Sequence, residues 1–213
     1  MKENSYMRYL NDIHNYNICL PPYGYNYYNM TPKQARAQYA WFISVIPERV
    51  EYLKKRIADD LKVKTDLLDY SADSLKLLWE WFIGIARIEK TPPNELEKMK
   101  EGAKVFGESF INYEQFTVVT RYIMRDIAIY IGESFVNNYP MLKWSYCDLP
   151  KNYVDSREPV ISGFYIKDEF TEGEMFVNPM GIVVGAGSYF FTGKPNKNDI
   201  YNSYMDLIRW IPT

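Results

Sequence analysis

The hydrophobic period of the sequence changes at Pro140, and this change constrains the fold more than any other feature. Before it, apolar residues recur every three or four positions from about Tyr113 to Asn138, which predicts a long helix. After it, Leu142, Trp144 and Tyr146 alternate with more polar residues, which predicts a half-buried strand. A sequence that keeps the two periods in separate regions is typical of an α+β protein.

Two further strands follow the first. Residues 159–166 (PVISGFYI) and 175–177 (MFV) are rich in the β-branched and aromatic residues that strands favour. The acidic stretch 167–174 (KDEFTEGE) joins them, and we expect it to be the solvated loop of a hairpin. Together these segments predict a small antiparallel sheet of about three strands.

The N-terminal half carries helix signals. Thr31 is suited to be an N-cap, Pro32 takes the first helical position, and Gln34 completes a capping box. Pro47 interrupts the apolar face that follows, so we expect a kink there or a break between two consecutive helices. Another helix is predicted after Ser71.

The glycine-rich stretch GIVVGAGSYFF, residues 181–191, invites comparison with a dinucleotide-binding turn. That turn needs a third glycine, and its place is occupied by Phe190. Asn178 as N-cap and Pro179 at the first position instead predict a helix, with a buried strand as the alternative. Small residues form a stripe along this helix, which predicts that the backbone of another element approaches it closely. The stripe consists of Gly181, Gly185 and Ser188. Gly132, inside the long helix, likewise predicts close packing.

These signals predict an α+β protein with a mostly helical N-terminal half, a small antiparallel sheet packed on the long helix, and two C-terminal helices, the last from Asn198 to Trp210. The length of 213 residues suits a single domain. Its expected parts are a Tyr/Asn-rich arm (1–30, with a short helix around Tyr6, Leu10 and Ile13), a helical lobe (31–88), a connection with a short helix (89–112) and an α+β lobe (113–213).

Composition limits the partners. A net charge of −2 gives no electrostatic case for nucleic acid or an anionic membrane. The chain has no apolar stretch of membrane-spanning length and no signal-peptide core, so we expect a cytoplasmic protein. Cys19, Cys147 and the single histidine, His14, form no metal-ligand spacing, and we expect neither metal nor cofactor.

No catalytic constellation is recognisable, which argues against an enzyme without deciding the question. The sequence lacks G-x-S-x-G, and nothing around either cysteine resembles a nucleophile turn. Cys147 alternates with Lys143 on the more polar strand face, where a plain strand cysteine is the preferred interpretation and a reactive surface thiol the alternative.

The long helix carries the most interesting polar residues. Asp126 and Glu133 are seven residues apart and share a face, and Arg121 and Arg125 form another pair four apart. This set is either an exposed face with ion pairs or a polar cleft for recognition or acid/base work. Trp79 and Trp81 cannot share one helix face, which leaves room for one of them near a surface, although core packing is the better expectation for each taken singly. The aromatic candidates for binding are Trp81, Tyr25, Tyr27 and Tyr28.

Three stretches look familiar: MTPKQARAQYAWFISVIPERVEYL, LDYSADSLKLLWEWF, and RDIAIYIGESFVNNYPMLKWSY followed by PVISGF. Their pattern of I-P-E-R, L-x-x-L-W-x-W-F and Y-x-G-E before a tryptophan strand resembles a family of bacterial cytosolic proteins of uncharacterised function. Some such small α+β proteins look like immunity proteins, which neutralise a toxin by binding it. The resemblance covers residues 30–165, and it implies a protein partner and no catalytic residue.

The sequence therefore favours a non-enzymatic bacterial binding protein, an immunity-like inhibitor of a partner protein. One alternative is a small-molecule-binding domain or enzyme with a polar cleft that contains Asp126, Glu133 and Arg125. A second alternative is a self-associating structural protein.

Overall fold

The computed structural model describes residues 16–108 and 111–212 of the chain. The predicted helix around Tyr6, Leu10 and Ile13 lies outside the described residues, as does His14. The helices are α1 (Pro32–Leu61), α2 (Ala72–Ile85), α3 (Pro93–Phe106), α4 (Val118–Asn138), α5 (Pro179–Gly187) and α6 (Asp199–Leu207). The strands are β1 (Ile88–Lys90), β2 (Glu114–Phe116), β3 (Lys143–Tyr146), β4 (Pro159–Lys167) and β5 (Glu172–Val177). The α+β class is confirmed.

The described residues divide into two compact units. The smaller contains residues 16–18 and 85–123, and the larger contains residues 19–84 and 124–212. Helix α4 contributes its first residues to the smaller unit and the remainder to the larger one. The single domain and its proposed lobes stay a prediction.

The smaller unit is built on an antiparallel ribbon. Strands β1 and β2 pair from Ile88 opposite Phe116 to Lys90 opposite Glu114, and α3 lies between them in sequence. The interpretation of residues 89–112 as a connection with a short helix therefore missed β1, and α3 is 14 residues long. Helix α4 also begins later than predicted, because residues 114–116 are strand.

The larger unit contains a three-stranded antiparallel sheet in the order β3-β4-β5. One face of the sheet packs on α4, where the rings of Phe135 and Phe164 meet edge to face at 5.3 Å. A Cβ atom added at Gly132 would lie 2.0 Å from Cζ2 of Trp144, so the predicted close packing of this glycine is confirmed. The ring of Tyr204 on α6 stacks on that of Phe135, with the ring centres 4.5 Å apart.

Most of the predicted helix boundaries are confirmed. The hydroxyl of Thr31 accepts a hydrogen bond from the backbone N–H of Gln34, whose side chain accepts one from the N–H of Thr31. Of the two alternatives at Pro47, the break between two helices is wrong, because α1 continues through this residue for 30 residues in all, and the kink stays a prediction. Buried residues on both sides of it, including Ile46 and Val50, tie the two halves of α1 to the same core.

The glycine-rich stretch forms the helix α5, which confirms the predicted helix over the alternative of a buried strand. Asn178 caps α5 with its side chain and Pro179 is the first helical residue. The expected backbone approach along its small residues is wrong, because Gly181, Gly185 and Ser188 are all exposed. A Cβ at Gly185 would meet nothing within 4 Å. Burial on α5 instead falls on Val183 and Ala186.

Candidate protein-binding surface

The segment of the tyrosine-rich arm in the larger unit is fixed to α1 by a buried glutamine. Gln38 is fully buried, and its side-chain oxygen accepts a hydrogen bond from the backbone N–H of Tyr23 at 3.1 Å. Its Nε2 donates to the carbonyl of Gly24, whose φ of +75° is a conformation that glycine adopts without strain. The amide of Gln38 is thereby paired inside the protein, and the arm is held on the helix.

A short turn then separates an inward tyrosine from an outward one. Residues Tyr27–Asn29 form one 3₁₀ turn, capped by the side chain of Asn26. Tyr27 points inward, and burial, partly opposed by a hydrogen bond with Gln38, raises its pKa to about 12. Tyr28 points outward and keeps 63% of its surface exposed.

The connection between β3 and β4, residues 147–158, faces Tyr28. Arg157 has a φ of +72°, and its backbone N–H donates to the carbonyl of Cys147 at 2.7 Å. The hydroxyl of Ser156 donates to the carbonyl of Leu149 at 2.8 Å. These contacts close the connection on itself and leave Tyr153 exposed and Val154 92% exposed.

Asn178 ties this connection to α5. Its Nδ2 donates to Oδ1 of Asp155 and to Oε2 of Glu158, both at 2.8 Å, while its Oδ1 accepts from the N–H of Met180. Burial is the main cause that raises the pKa of Glu158, and the hydrogen bond from Asn178 opposes it. Nearby Asp155 adds to the increase. One side chain thus caps a helix and fixes the connection.

The arm and the connection meet around a small pocket. Nζ of Lys151 lies 4.0 Å from the centre of the Tyr28 ring, a cation–π distance. The pocket holds about 50 Å³, far less than the roughly 300–1,000 Å³ of small-molecule sites. It can accommodate a few waters or the tip of one side chain. It is lined by Tyr28, Lys151, Tyr153, Val154, Ser156, Arg157 and Glu158. We call Tyr28, Lys151, Tyr153 and Val154 the tyrosine surface.

Arg125 and Tyr25, both predicted binding residues, lie together near the start of this arm segment. The guanidinium carbon of Arg125 is 4.8 Å from the ring centre of Tyr25 and 5.8 Å from that of Trp41. Nη2 of Arg125 donates to the carbonyl of Cys19 at 2.7 Å. Arg125 therefore holds the backbone of the arm and supports Tyr25, which is exposed.

The two acidic candidates on α4 have separate structural partners. Asp126 is buried and forms a 2.6 Å ion pair with Arg49, with each side chain only 1% exposed. Glu133 is half-buried and accepts a hydrogen bond at 2.8 Å from the indole of Trp144. Asp126 and Glu133 were expected to share a face, but their carboxylates contact different partners. The ion pair of Asp126 is enclosed by the protein and offers no access to a ligand.

The remaining candidates lie elsewhere. Arg121 is exposed in the smaller unit, where its Nη1 donates to the side chain of Gln115 at 3.1 Å. Trp81 is buried, and its indole donates to Asp60 at 2.9 Å. Trp79 and Trp81 are both buried, which confirms core packing as the better expectation for each and excludes a surface position for either.

The structure decides between the two interpretations of Cys147. This residue is fully buried, so the alternative of a reactive surface thiol is wrong, and burial raises the pKa of its thiol. Within residues 16–108 and 111–212, no three histidine, cysteine or acidic side chains are grouped to hold a metal ion. No helix in the described part of the chain has the length and apolarity needed to cross a membrane.

Sequence reasoning missed most of the tyrosine surface. Lys151, Tyr153 and Val154 are not among the predicted residues, although an apolar pair in the polar stretch KNYVDS was a usable signal. Gln38 was missed because a glutamine in a helical pattern reads as solvent-facing, and its burial depends on an arm distant in sequence.

Comparison of the chain with protein-family models, curated proteins and solved structures found no match. The fold and the surface define the class: an α+β protein with exposed tyrosines on fixed connections. The resemblance to immunity proteins stays a hypothesis.

Proposed function

We propose that this chain is a non-enzymatic binding protein that recognises and inhibits a partner protein, in the manner of a bacterial immunity protein. The observation that carries the proposal is the tyrosine surface, where exposed Tyr28, Tyr153 and Val154 stand on backbone fixed by internal hydrogen bonds. Its size and chemistry support contact with another protein more than with a small molecule.

Tyrosine is effective at such surfaces for a physical reason. It offers a large rigid area with few rotatable bonds and a hydroxyl that can hydrogen-bond at the rim. Binding costs less entropy when the backbone is already ordered. Gln38 and Asn178 provide that order here, because one anchors the arm and the other anchors residues 147–158.

The pocket fits the role of an anchor site. Energetically dominant contacts in protein interfaces commonly involve Tyr and Arg around well-packed small pockets. A pocket of about 50 Å³ between Tyr28 and Tyr153 can receive one side chain of the partner. The flat exposed groups around it would then exclude water from that contact.

The proposal includes a cytoplasmic location in a bacterial cell. Its support is the sequence resemblance together with the two free cysteines, of which Cys147 is buried. Free thiols are typical of proteins in a reducing compartment.

The test is affinity capture from a lysate of the source organism with the tagged protein as bait, followed by inhibition assays on the captured partner. We expect one stoichiometric partner, whose own activity falls when the purified protein is added. The Tyr28→Ala/Tyr153→Ala variant should bind this partner at least tenfold more weakly, with an unchanged circular dichroism spectrum.

Tyr113→Ala is the matched control, because Tyr113 has the same 63% exposure as Tyr28 and lies in the smaller unit. It should bind like the unmodified protein. Equal binding by the Tyr28→Ala/Tyr153→Ala variant would refute the assigned surface, and a partner whose activity is unchanged would refute inhibition.

A further inference from the structure

The three-stranded sheet ends in an edge that is open to pairing. Among the described residues, β5 pairs with β4 alone, from Lys167 opposite Glu172 to Ile161 opposite Val177. An edge strand of this kind presents unpaired N–H and C=O groups, which another extended chain can satisfy. Such strand addition is a common way to bind a peptide.

The register shows which residues offer these groups. The backbone N–H of Asp168 donates to the carbonyl of Thr171 at 2.9 Å, so these two residues form a hydrogen-bonded pair. Hydrogen-bonded and non-hydrogen-bonded pairs alternate along an antiparallel ladder. Glu172 and Glu174 therefore occupy non-hydrogen-bonded positions opposite β4, and their backbone N–H and C=O groups project to the outer edge.

The side chains at this edge give it a strong negative charge. Four carboxylates lie within residues 167–174 and face one cation, Lys167. Lys167 and the hydroxyl of Tyr165 both engage the carboxylate of Glu172, at 3.2 and 3.3 Å. The carboxylates are Asp168, Glu169, Glu172 and Glu174. The surplus of negative charge complements a segment that carries lysine or arginine.

An exposed aromatic residue stands at the tip of the same hairpin. The side chain of Asp168 accepts hydrogen bonds from the N–H groups of Phe170 and Thr171, at 2.8 and 2.7 Å, and fixes the turn. Phe170 is 91% exposed. A chain lying along β5 would gain an apolar contact at the tip in addition to its backbone hydrogen bonds.

The same charges act against a second copy of this chain as the occupant. Antiparallel pairing of two β5 strands would bring glutamates of the two copies close together across the new ladder. Like charges opposite each other in a sheet are destabilising. The edge is therefore selective for a basic strand over its own copy.

We propose that the outer edge of β5 binds an extended, basic peptide segment by strand addition, with Glu172 and Glu174 contributing both backbone hydrogen bonds and charge. This site is separate from the tyrosine surface. The connection 147–158 leads into the first residue of β4, whereas the hairpin follows its last residue, a separation of about 26 Å for a nine-residue strand. Peptide binding at this edge does not depend on the proposed inhibitor function, and the two proposals are tested by different experiments.

The probe is a fluorescein-labelled, amide-capped eight-residue peptide in which lysine alternates with threonine and valine. Fluorescence anisotropy of this peptide is measured against the full-length protein. We expect saturable binding, at least tenfold tighter than that of the same peptide with glutamate in place of lysine. The Glu172→Lys/Glu174→Lys variant should bind the basic peptide at least tenfold more weakly, and the matched variant Glu80→Lys on α2 should bind it normally.

Two methylated peptides separate strand addition from simple charge attraction. One carries N-methyl groups at odd positions and the other at even positions, so each has one edge without N–H donors. Strand addition predicts that one of the two loses at least tenfold in affinity while the other retains it, since only one peptide edge faces β5. Equal binding by both, or no binding of the parent peptide, would overturn the proposal. Concentration-dependent dimerisation that the Glu172→Lys/Glu174→Lys variant abolishes would overturn it in favour of a second copy.

Discussion

Gly132→Ala is the sharpest test of the packing between α4 and the sheet. Alanine normally stabilises a helix interior relative to glycine by about 1 kcal/mol. At this position the new methyl group would lie 2.0 Å from Cζ2 and 2.4 Å from Cη2 of Trp144. Those distances are far inside van der Waals contact, so the indole must move.

Movement of the indole is costly because two contacts fix it. Its Nε1 donates to Oε1 of Glu133 at 2.8 Å, and its ring meets that of Phe42 edge to face at 5.0 Å. Overpacking costs roughly 1–3 kcal/mol, and a hydrogen bond to a charged group is worth about 1.5–3 kcal/mol. After the helix gain is subtracted, Gly132→Ala should lower the free energy of unfolding by about 1.5–5 kcal/mol. The midpoint temperature should fall by roughly 3–20 °C.

The assay is urea unfolding followed by circular dichroism and tryptophan fluorescence, with Gly185→Ala as the matched control. Gly185 is also helical and lies in the larger unit, but a Cβ there meets nothing within 4 Å. The Gly185→Ala substitution should therefore raise the free energy of unfolding by about 0.5–1 kcal/mol. A Gly132→Ala protein as stable as its parent, beside a stabilised Gly185→Ala, would refute the packing described for Trp144.

Three other outcomes follow from buried groups. Asp126→Asn should lower the free energy of unfolding by about 3–5 kcal/mol, because it leaves the Arg49 cation buried, and Arg49→Met/Asp126→Leu should lose much less in the same urea assay. The pKa of Glu158 is higher in the folded protein than its ordinary value, so the stability that this residue contributes is present below that ordinary pKa and is lost as pH rises. Glu158→Gln cannot ionise, so the stability of this variant relative to the unmodified protein should grow from pH 4 to pH 7. A stability difference that stays constant with pH would contradict this. In labelling with a thiol reagent, half-exposed Cys19 should react before Cys147, and Cys19→Ala should remove the fast phase.

Local signals allowed correct prediction where one short stretch contains all the interacting groups. The capping box of Thr31 and Gln34 involves residues three apart, and the structure forms both of its hydrogen bonds. The start of α5 at Asn178 and Pro179 is likewise a local event. The change of period at Pro140 was sufficient for the α+β class, because a half-buried strand and a long helix have different repeats over many residues.

Non-local events were not predictable in the same way. The ribbon of β1 and β2 pairs Ile88 with Phe116 through strands of three residues, too short to show a period of two. The close packing of Gly132 was predictable, but its partner Trp144 belongs to the sheet and had no local signal. Arg49 illustrates the limit best, since its burial depends on Asp126, 77 residues away along the chain.

The candidate surface was only partly predictable for the same reason. Tyr28 was identified from the abundance of tyrosine, but its opposite wall at Tyr153 comes from a connection more than a hundred residues later in the sequence. The suitability of these exposed residues for the proposed recognition depends on the side-chain amides that fix their backbone as well as on their own identity. Gln38 and Asn178 each satisfy donors and acceptors that would otherwise leave a loop mobile, and a loop ordered before binding loses less entropy when a partner arrives. Under the proposed function, the polar side chains that fix the backbone therefore matter for binding as much as the exposed aromatic residues.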